Sequence, residues 1–461
     1  MYYSVKENGL SLDEVLRITG GEAHNFPAET TYIYGVCTDT RKDAKNSLFA
    51  ALVGENFDGH DFVQSAYDGG AVCALTEKAP DTDKPFIVVK NTLAAYGKIA
   101  AAYKDKFSVM TIAVTGSVGK TTTKEAICAT LSAKYNVCKT HGNFNNEIGL
   151  PQTLLSLNAS HKIAVLEMGM SERGEISALS KIARPDIAII TNIGFSHIEH
   201  LKTRENILRA KLEILSGMQP DGMLLINGDD DMLKTIKEPE QFCVRVGIDD
   251  PGCRFRATDI TFFESGTAFD AVCGEDRIEG LFIPSVGKHA VYAAMFAVAC
   301  GVICGLDESE LRRGIAEYSP ADMRQNIVRR DNYTKIEDCY NASPESMRAS
   351  IDVMRFFADK RGGRAVAVLG EMKELGEKAP EIHESVGKYA AKYADGLFLF
   401  GDGENVRALA EGYEAAGKFP VMLGNEAEKA ADIIKQNIKD GDVLLFKASR
   451  AVTLEKLSER F

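Results

Sequence analysis

Basic charge is in deficit. Across 461 residues, 54 lysines and arginines stand against 66 aspartates and glutamates, a formal net charge of −12. Electrostatic binders of nucleic acid or membrane surfaces need a basic face, so neither is expected as a partner. A local basic pocket for a small anion stays compatible with this balance. No run approaches the ~18–20 uncharged apolar residues of a membrane helix. The opening MYYSVKENGLSLDEVL carries early acids and no apolar stretch before a small-residue cleavage site, so no signal peptide is expected. The ten cysteines form no CxxC pair, which removes the usual zinc and thiol-redox spacings. Cys300 and Cys304 lie in an alanine-rich helical stretch and are expected to pack in a core. Tandem repeats and low-complexity tracts are also missing. What is present, 45% hydrophobic and 26% charged residues, buries full cores. At ~150 residues per domain the length suggests about three domains. The expectation is a reduced, soluble, cytoplasmic enzyme, and a monomer.

The chain reads as α/β in three domains. Residues 1–107 mix short strand-like runs with a polar, turn-rich segment from Thr38 to Asp61. From about residue 108, MTIAVTGSVGKTTTKEAICATLSAKY reads as a buried strand, a glycine turn and a helix. Apolar strands then recur at helix-length spacing: 163–167, 186–192 and 223–227. Such βα alternation predicts a parallel sheet covered on both faces. A helix around Ala290–Val302 closes this second domain, taken as 108–318. After Ser319-Pro320 a second alternating series, with strands at 364–370, 396–403, 419–423 and 442–450, predicts a Rossmann-like domain over 319–461.

The strongest chemical signal is Thr115-Gly116-Ser117-Val118-Gly119-Lys120-Thr121-Thr122-Thr123 between strand and helix. Glycines let backbone N–H groups close around phosphates, and the helix N-terminus adds positive potential. Lys120 would reach the outer phosphates and Thr121 would place a hydroxyl on Mg²⁺. Val114 stands where the longer phosphate-loop pattern has its first glycine, so the motif is T-G-x-x-G-K-T, a subset of ATP users. Glu167 closes one strand and His197 follows another. The carboxyl ends of strands form the ligand crevice of an open α/β sheet, so both are candidate metal ligands beside the phosphates.

In order and spacing, TGSVGKTTTKE, GNFNNEIGLP (142–151), LEMGM (166–170), TNIGFSH (191–197), AKLEI (210–214) and GKH (287–289) are similar to the Mur ligases. These are the ATP-dependent amide-forming enzymes of peptidoglycan synthesis. DCYNASPESM (338–347), VLGEMKELGE (368–377) and KASR (447–450) resemble the member that joins D-alanyl-D-alanine to UDP-N-acetylmuramoyl-tripeptide. The resemblance implies ATP, two Mg²⁺ ions and an acyl-phosphate intermediate, with the incoming amine on the third domain. It gives nucleotide-binding roles to Gly116, Ser117, Gly119, Lys120, Thr121, Thr122, Asn227, His289, Arg324 and Asp338, the last two after domain closure. Metal roles fall on Thr121, Glu167, His197 and Lys211; Lys120, His197 and Lys211 form the catalytic group. Lys211 matches the family position that carries a CO₂-derived carbamate, whereas the helix NILRAKLEIL by itself reads as carrying a surface lysine. TDTR (38–41) and LFAALVGENFDGHDF (48–62) look like the uridine-nucleotide domain. Thr38, Arg41, Asn56 and His60 are its candidates there, although both segments also read as ordinary polar turns. Asn145, Asn146, Asn341, Ser449 and Arg450 complete the implied substrate contacts.

The chain departs from the family pattern in places. In the family's GxHNxxN segment, whose asparagines face adenine, Ala290 and Ala293 stand here. Ser343 and Ala448 replace an asparagine and a glycine. These changes keep two alternatives open: another ligase of the superfamily, such as one resembling folylpolyglutamate synthase, and a nucleotide-binding relative without turnover. The ~107 residues before the loop weigh against the first, and retention of Lys120, Glu167, His197 and Lys211 against the second.

Overall fold

The computed structural model describes residues 2–4, 9–41, 44–54, 56–237 and 243–461. They form two compact units. The first comprises Met1–Thr115, Lys134–Ile189 and Leu212–Leu224, the second Gly116–Ala133, Ile190–Lys211 and Leu225–Phe461.

In the first unit, a six-stranded sheet runs in the order Tyr2–Ser4, Gly35–Cys37, Leu48–Ala50, Cys73–Thr76, Phe86–Val88, Glu22–His24. The four inner strands are parallel and the two outer ones antiparallel. Its inner runs are short and apolar throughout, as strands buried on both faces require. Phe49, Val63, Ala74 and Phe86 fill the core beneath them. Beside this sheet, Val137–Lys139, Ile163–Glu167 and Met110–Thr115 pair in parallel. Helix Thr92–Lys104 starts at Asn91, whose side chain accepts the Ala94 N–H.

The second unit begins with helix Lys120–Ser132. Helix Lys288–Ile303 covers the span expected around 290–302. The expected central sheet is corrected in one respect: it is not parallel throughout. Cys243–Gly247 pairs in parallel with Phe255–Phe263, but Phe255–Phe263, Gly266–Cys273 and Asp276–Ile283 form an antiparallel meander. Two residues separate successive meander strands, too few for a crossover helix, so the chain must turn straight back. The last sheet runs Asn326–Arg329, Tyr333–Glu337, Asp442–Lys447, Ala365–Leu369, Gly396–Phe400, Val421–Gly424. Only its first pair is antiparallel. Phe398, Leu444 and Phe446 pack in its core.

All ten cysteines are free thiols. Cys300 is buried and Cys304 partly so. Among the described residues no helix is long and apolar enough to cross a membrane.

Candidate functional site

The phosphate loop is shaped by two glycines outside ordinary backbone space. Gly116 has φ +146°, and a Cβ there would stand 1.9 Å from Thr191 Oγ1. Gly119, at φ +82°, caps helix Lys120–Ser132. Between them Val118 is gripped from one side: its N–H donates to Asn192 Oδ1 (2.9 Å), and its carbonyl accepts from Asn192 Nδ2 (3.1 Å) and Thr191 Oγ1 (2.6 Å). Ser117 Oγ accepts the Gly194 N–H at 2.9 Å. Lys120 Nζ donates to Gly116 O at 2.8 Å, which holds the ammonium over the loop.

A cleft of about 1110 Å³ opens on this loop within the second unit. One wall is Ser117 to Thr122; the other carries His289, Arg324, Asp338, Asn341 and Lys447. Lys447 Nζ reaches Asp338 Oδ2 at 2.6 Å, and Ser350 Oγ donates to the same oxygen at 2.6 Å. Burial would raise the Asp338 carboxyl, but Lys447 and Ser350 outweigh it and hold the group below the usual carboxylate range. The Arg324 guanidinium lies over the Tyr340 ring, 4.3 Å from its centroid. Burial pushes His289 below the usual histidine range, and its Nε2 lies 2.9 Å from Gln325 Oε1. A neutral imidazole donating from Nε2 follows. Asn227 is buried outside this lining, where its Oδ1 accepts the Asp229 N–H.

His197 has φ +63° and its Nδ1 sits 2.5 Å from Glu374 Oε2. Lys211, on helix Arg204–Leu212, is 1% exposed, so the surface-lysine alternative fails. Ser449 Oγ accepts the Lys373 N–H, and the exposed Arg450 faces Glu455 at 3.4 Å; neither lines the cleft.

A separate cleft, about 1490 Å³, lies within the first unit and is lined by Thr38, Arg41 and Asn146 with Phe57, Phe62 and Phe144. Asp39 fixes Arg41 in a fork, taking Nε and Nη2 at 2.8 Å each. Asn146 Oδ1 caps the start of helix Gly149–Leu155 by accepting the Gly149 N–H at 2.8 Å. Asn145 turns instead to the buried Glu167, donating to its Oε1 at 2.9 Å. Two expected residues stand outside this lining. Asn56 is exposed, and both His60 nitrogens are engaged, Nδ1 with Asp58 and Nε2 with the Glu77 N–H. The expected uridine contact from His60 is therefore corrected, because its ring has no nitrogen left to offer. Neighbouring Glu55 lies outside the described residues.

Three family models match the chain in succession: "Mur ligase family, catalytic domain" over residues 32–112, "Mur ligase middle domain" over 114–301, and "Mur ligase, glutamate ligase domain" over 323–450. The chain belongs to the Mur ligase family. Among relatives, it is 38% identical over 453 residues to the UDP-N-acetylmuramoyl-tripeptide–D-alanyl-D-alanine ligase of Bacillus subtilis, covering 97% of each chain. A crystal structure of MurF from Acinetobacter baumannii matches with a TM-score of 0.89 at 29% identity, covering 98% of each chain. The Thermotoga maritima MurF ligase in complex with ADP matches with a TM-score of 0.83 at 30% identity, over 92% of this chain and 96% of that one.

Three contributors to the loop and cleft went unread in the sequence: Asn192, Glu345 and Lys447. Each lies inside a motif with family-like spacing, TNIGFSH, DCYNASPESM or KASR, and that membership was the available signal. Glu345 Oε1 accepts the Phe195 N–H at 3.1 Å.

Proposed function

We propose that this chain is the ATP-dependent ligase that joins D-alanyl-D-alanine to UDP-N-acetylmuramoyl-tripeptide, a cytoplasmic step in making peptidoglycan precursor. The observation that carries the reading is the cleft that pairs the phosphate loop and Lys120 with Arg324 and Asp338. The full-length likeness to ligases of that name selects these substrates within the family.

A carboxylate is a poor electrophile and needs a leaving group. The terminal carboxylate oxygen of the tripeptide attacks the γ-phosphorus of ATP; the new O–P bond forms as the bond to the bridging oxygen breaks, and ADP leaves. The neutral amine of the dipeptide then attacks the acyl carbon. A C–N bond forms, the C–O bond to phosphate breaks, and the nitrogen gives up a proton. In this scheme Gly116 to Thr122 cradle the phosphates, with Lys120 stabilising charge on the γ-phosphoryl group. Arg324, Asp338 and His289 hold the nucleoside side, Asn341, Ser449 and Arg450 the dipeptide. Thr38, Arg41 and Asn146 take the uridine diphosphate. The division into 1–107, 108–318 and 319–461 belongs to the same proposal.

Mg²⁺ fits the donors. Among the described residues no three His, Cys, Asp or Glu side chains converge as a cage. Mg²⁺ is commonly held by one or two protein oxygens, water and substrate phosphates, which suits the Thr121 hydroxyl at the phosphate loop; the metal roles of His197 and Glu167 rest on the family motif alone. When bound it would offset repulsion between the two reacting anions. A carbamate on Lys211 rests on the motif together with burial, and partial recovery of Lys211→Ala by acetate is its test.

ADP release is the decisive assay. Turnover is expected with UDP-tripeptide plus D-alanyl-D-alanine, and not with glutamate. Turnover on glutamate with a folate would favour the folylpolyglutamate-type reading. ATP binding without any turnover would favour a nucleotide-binding relative.

A further inference from the structure

Beyond the strand Ile187–Ile190 three consecutive backbone N–H groups are each taken by a different side chain. Ile193 N–H donates to Asp230 Oδ2 at 2.9 Å, Gly194 N–H to Ser117 Oγ at 2.9 Å, and Phe195 N–H to Glu345 Oε1 at 3.1 Å. The Ile193 carbonyl accepts from Arg204 Nε at 3.1 Å and Nη2 at 2.7 Å. An irregular segment has no ladder of its own, so partners of this kind decide where its backbone lies. The middle bond reaches the nucleotide site. Ser117 belongs to the phosphate loop, and its own N–H donates back to Asn192 O at 3.0 Å. Segment and loop thus hold each other in register.

Glu345 arrives from 150 residues further along the chain. It sits in the first turn of helix Pro344–Arg361, which packs on the strands Ala365–Leu369 and Asp442–Lys447 of the last sheet. A first-turn acid on a free helix end would turn both oxygens to water. Here Oε2 is buried with no hydrogen-bond partner among the described residues, a cost accepted while Oε1 stays on Phe195. The approach is close as well. A Cβ on Gly194 would stand 2.4 Å from Glu345 Oε1 and 2.6 Å from its Cδ. Gly194 has no left-handed backbone to maintain, so what its missing side chain provides is room. We propose that Glu345 is a positioning residue for the phosphate loop: its carboxylate fixes the Phe195 N–H, which keeps the Gly194 N–H on Ser117, and Gly194 is the residue that admits it. The task requires an acceptor and not a charge. The inference rests on the phosphate-loop reading above and not on the identity of the amine substrate.

The contact can be broken from either side. In isothermal titration with a non-hydrolysable ATP analogue, Glu345→Ala should lose about tenfold in affinity. Affinity for the UDP-linked tripeptide, whose proposed cleft lies in the first unit, should stay within twofold, which a general loss of structure would not allow. Gly194→Ala keeps the carboxylate but pushes it from its seat, so its loss should be of the same order. Combined, the two substitutions should cost no more than either alone, because both remove one interaction. Glu345→Gln keeps an accepting oxygen and should bind the analogue nearly as the wild type does. Affinity within twofold of wild type in Glu345→Ala, an additive loss in the double variant, or glutamine as damaging as alanine would overturn the proposal. The readout needs no amine substrate. A wild-type enzyme that fails to ligate D-alanyl-D-alanine would count against the proposed function and leave this comparison standing.

Discussion

At the scale of single residues, two lysines act in opposite ways. Lys120 lies over the loop carbonyls, where its charge meets the γ-phosphoryl group as negative charge builds. Losing such a contact typically costs on the order of 10²-fold or more in rate. Lys120→Ala should therefore abolish measurable ligation while circular dichroism and melting stay near wild type; near-normal turnover would sink the assignment. Lys447 is structural instead. Its side chain is 2% exposed and Asp338's 15%, at 2.6 Å. Replacing only one partner strands the other's charge, so Lys447→Ala should destabilise by about 3–5 kcal/mol in urea unfolding. The pair also sets a pH dependence. Because the folded state holds the Asp338 carboxyl below its ordinary value of 3.8, the unfolded state binds the proton more readily. The stabilisation is complete above that value and is lost as pH falls below it toward the folded one. Stability measured across that acid range should fall less steeply in Asp338→Asn than in wild type.

At the scale of elements, the phosphate loop separates steric need from conformational need. A Cβ on Gly116 would strike Thr191 Oγ1, a side chain already bonded to Val118 O. A Cβ on Gly119 meets nothing within 4 Å, and only its φ of +82° resists substitution. Gly116→Ala should thus lose far more ATP affinity than Gly119→Ala, whose penalty is about 1 kcal/mol of backbone strain. Equal losses in isothermal titration would refute this account. The strand, loop and helix here were legible because an apolar run bounded by glycines and followed by Lys-Thr admits few other folds. The meander was not. In Phe255–Phe263 burial alternates residue by residue, so it offers none of the continuous apolar runs that marked the other strands. Asn192 and Glu374 were invisible for another reason: nothing local in a sequence says which distant backbone or ring a side chain will meet.

At the scale of the whole molecule, the two clefts belong to different compact units, and their chemistry is separable. The cleft of the second unit is built on a phosphate loop; that of the first unit combines one pinned guanidinium with four phenylalanines. That combination suits a nucleobase stacked on an aromatic face with its phosphates at an arginine. Arg41 is 87% exposed at its side chain, where it pairs with Asp39, so its removal disturbs no core. Arg41→Ala should leave melting and ADP affinity unchanged within error. Its affinity for the UDP-linked tripeptide should fall roughly tenfold, as loss of a charge-assisted contact worth about 1.5 kcal/mol implies. Lys120→Ala should show the reverse preference, keeping affinity for the UDP-linked precursor. Family motifs made both clefts legible in outline, yet only the structure shows that His60 spends its ring on Asp58 and Glu77 while Phe57 and Phe62 line the cleft. If Arg41→Ala weakened ADP as much as the UDP-linked precursor, the two sites would not be independent, and a single shared nucleotide site would have to replace them.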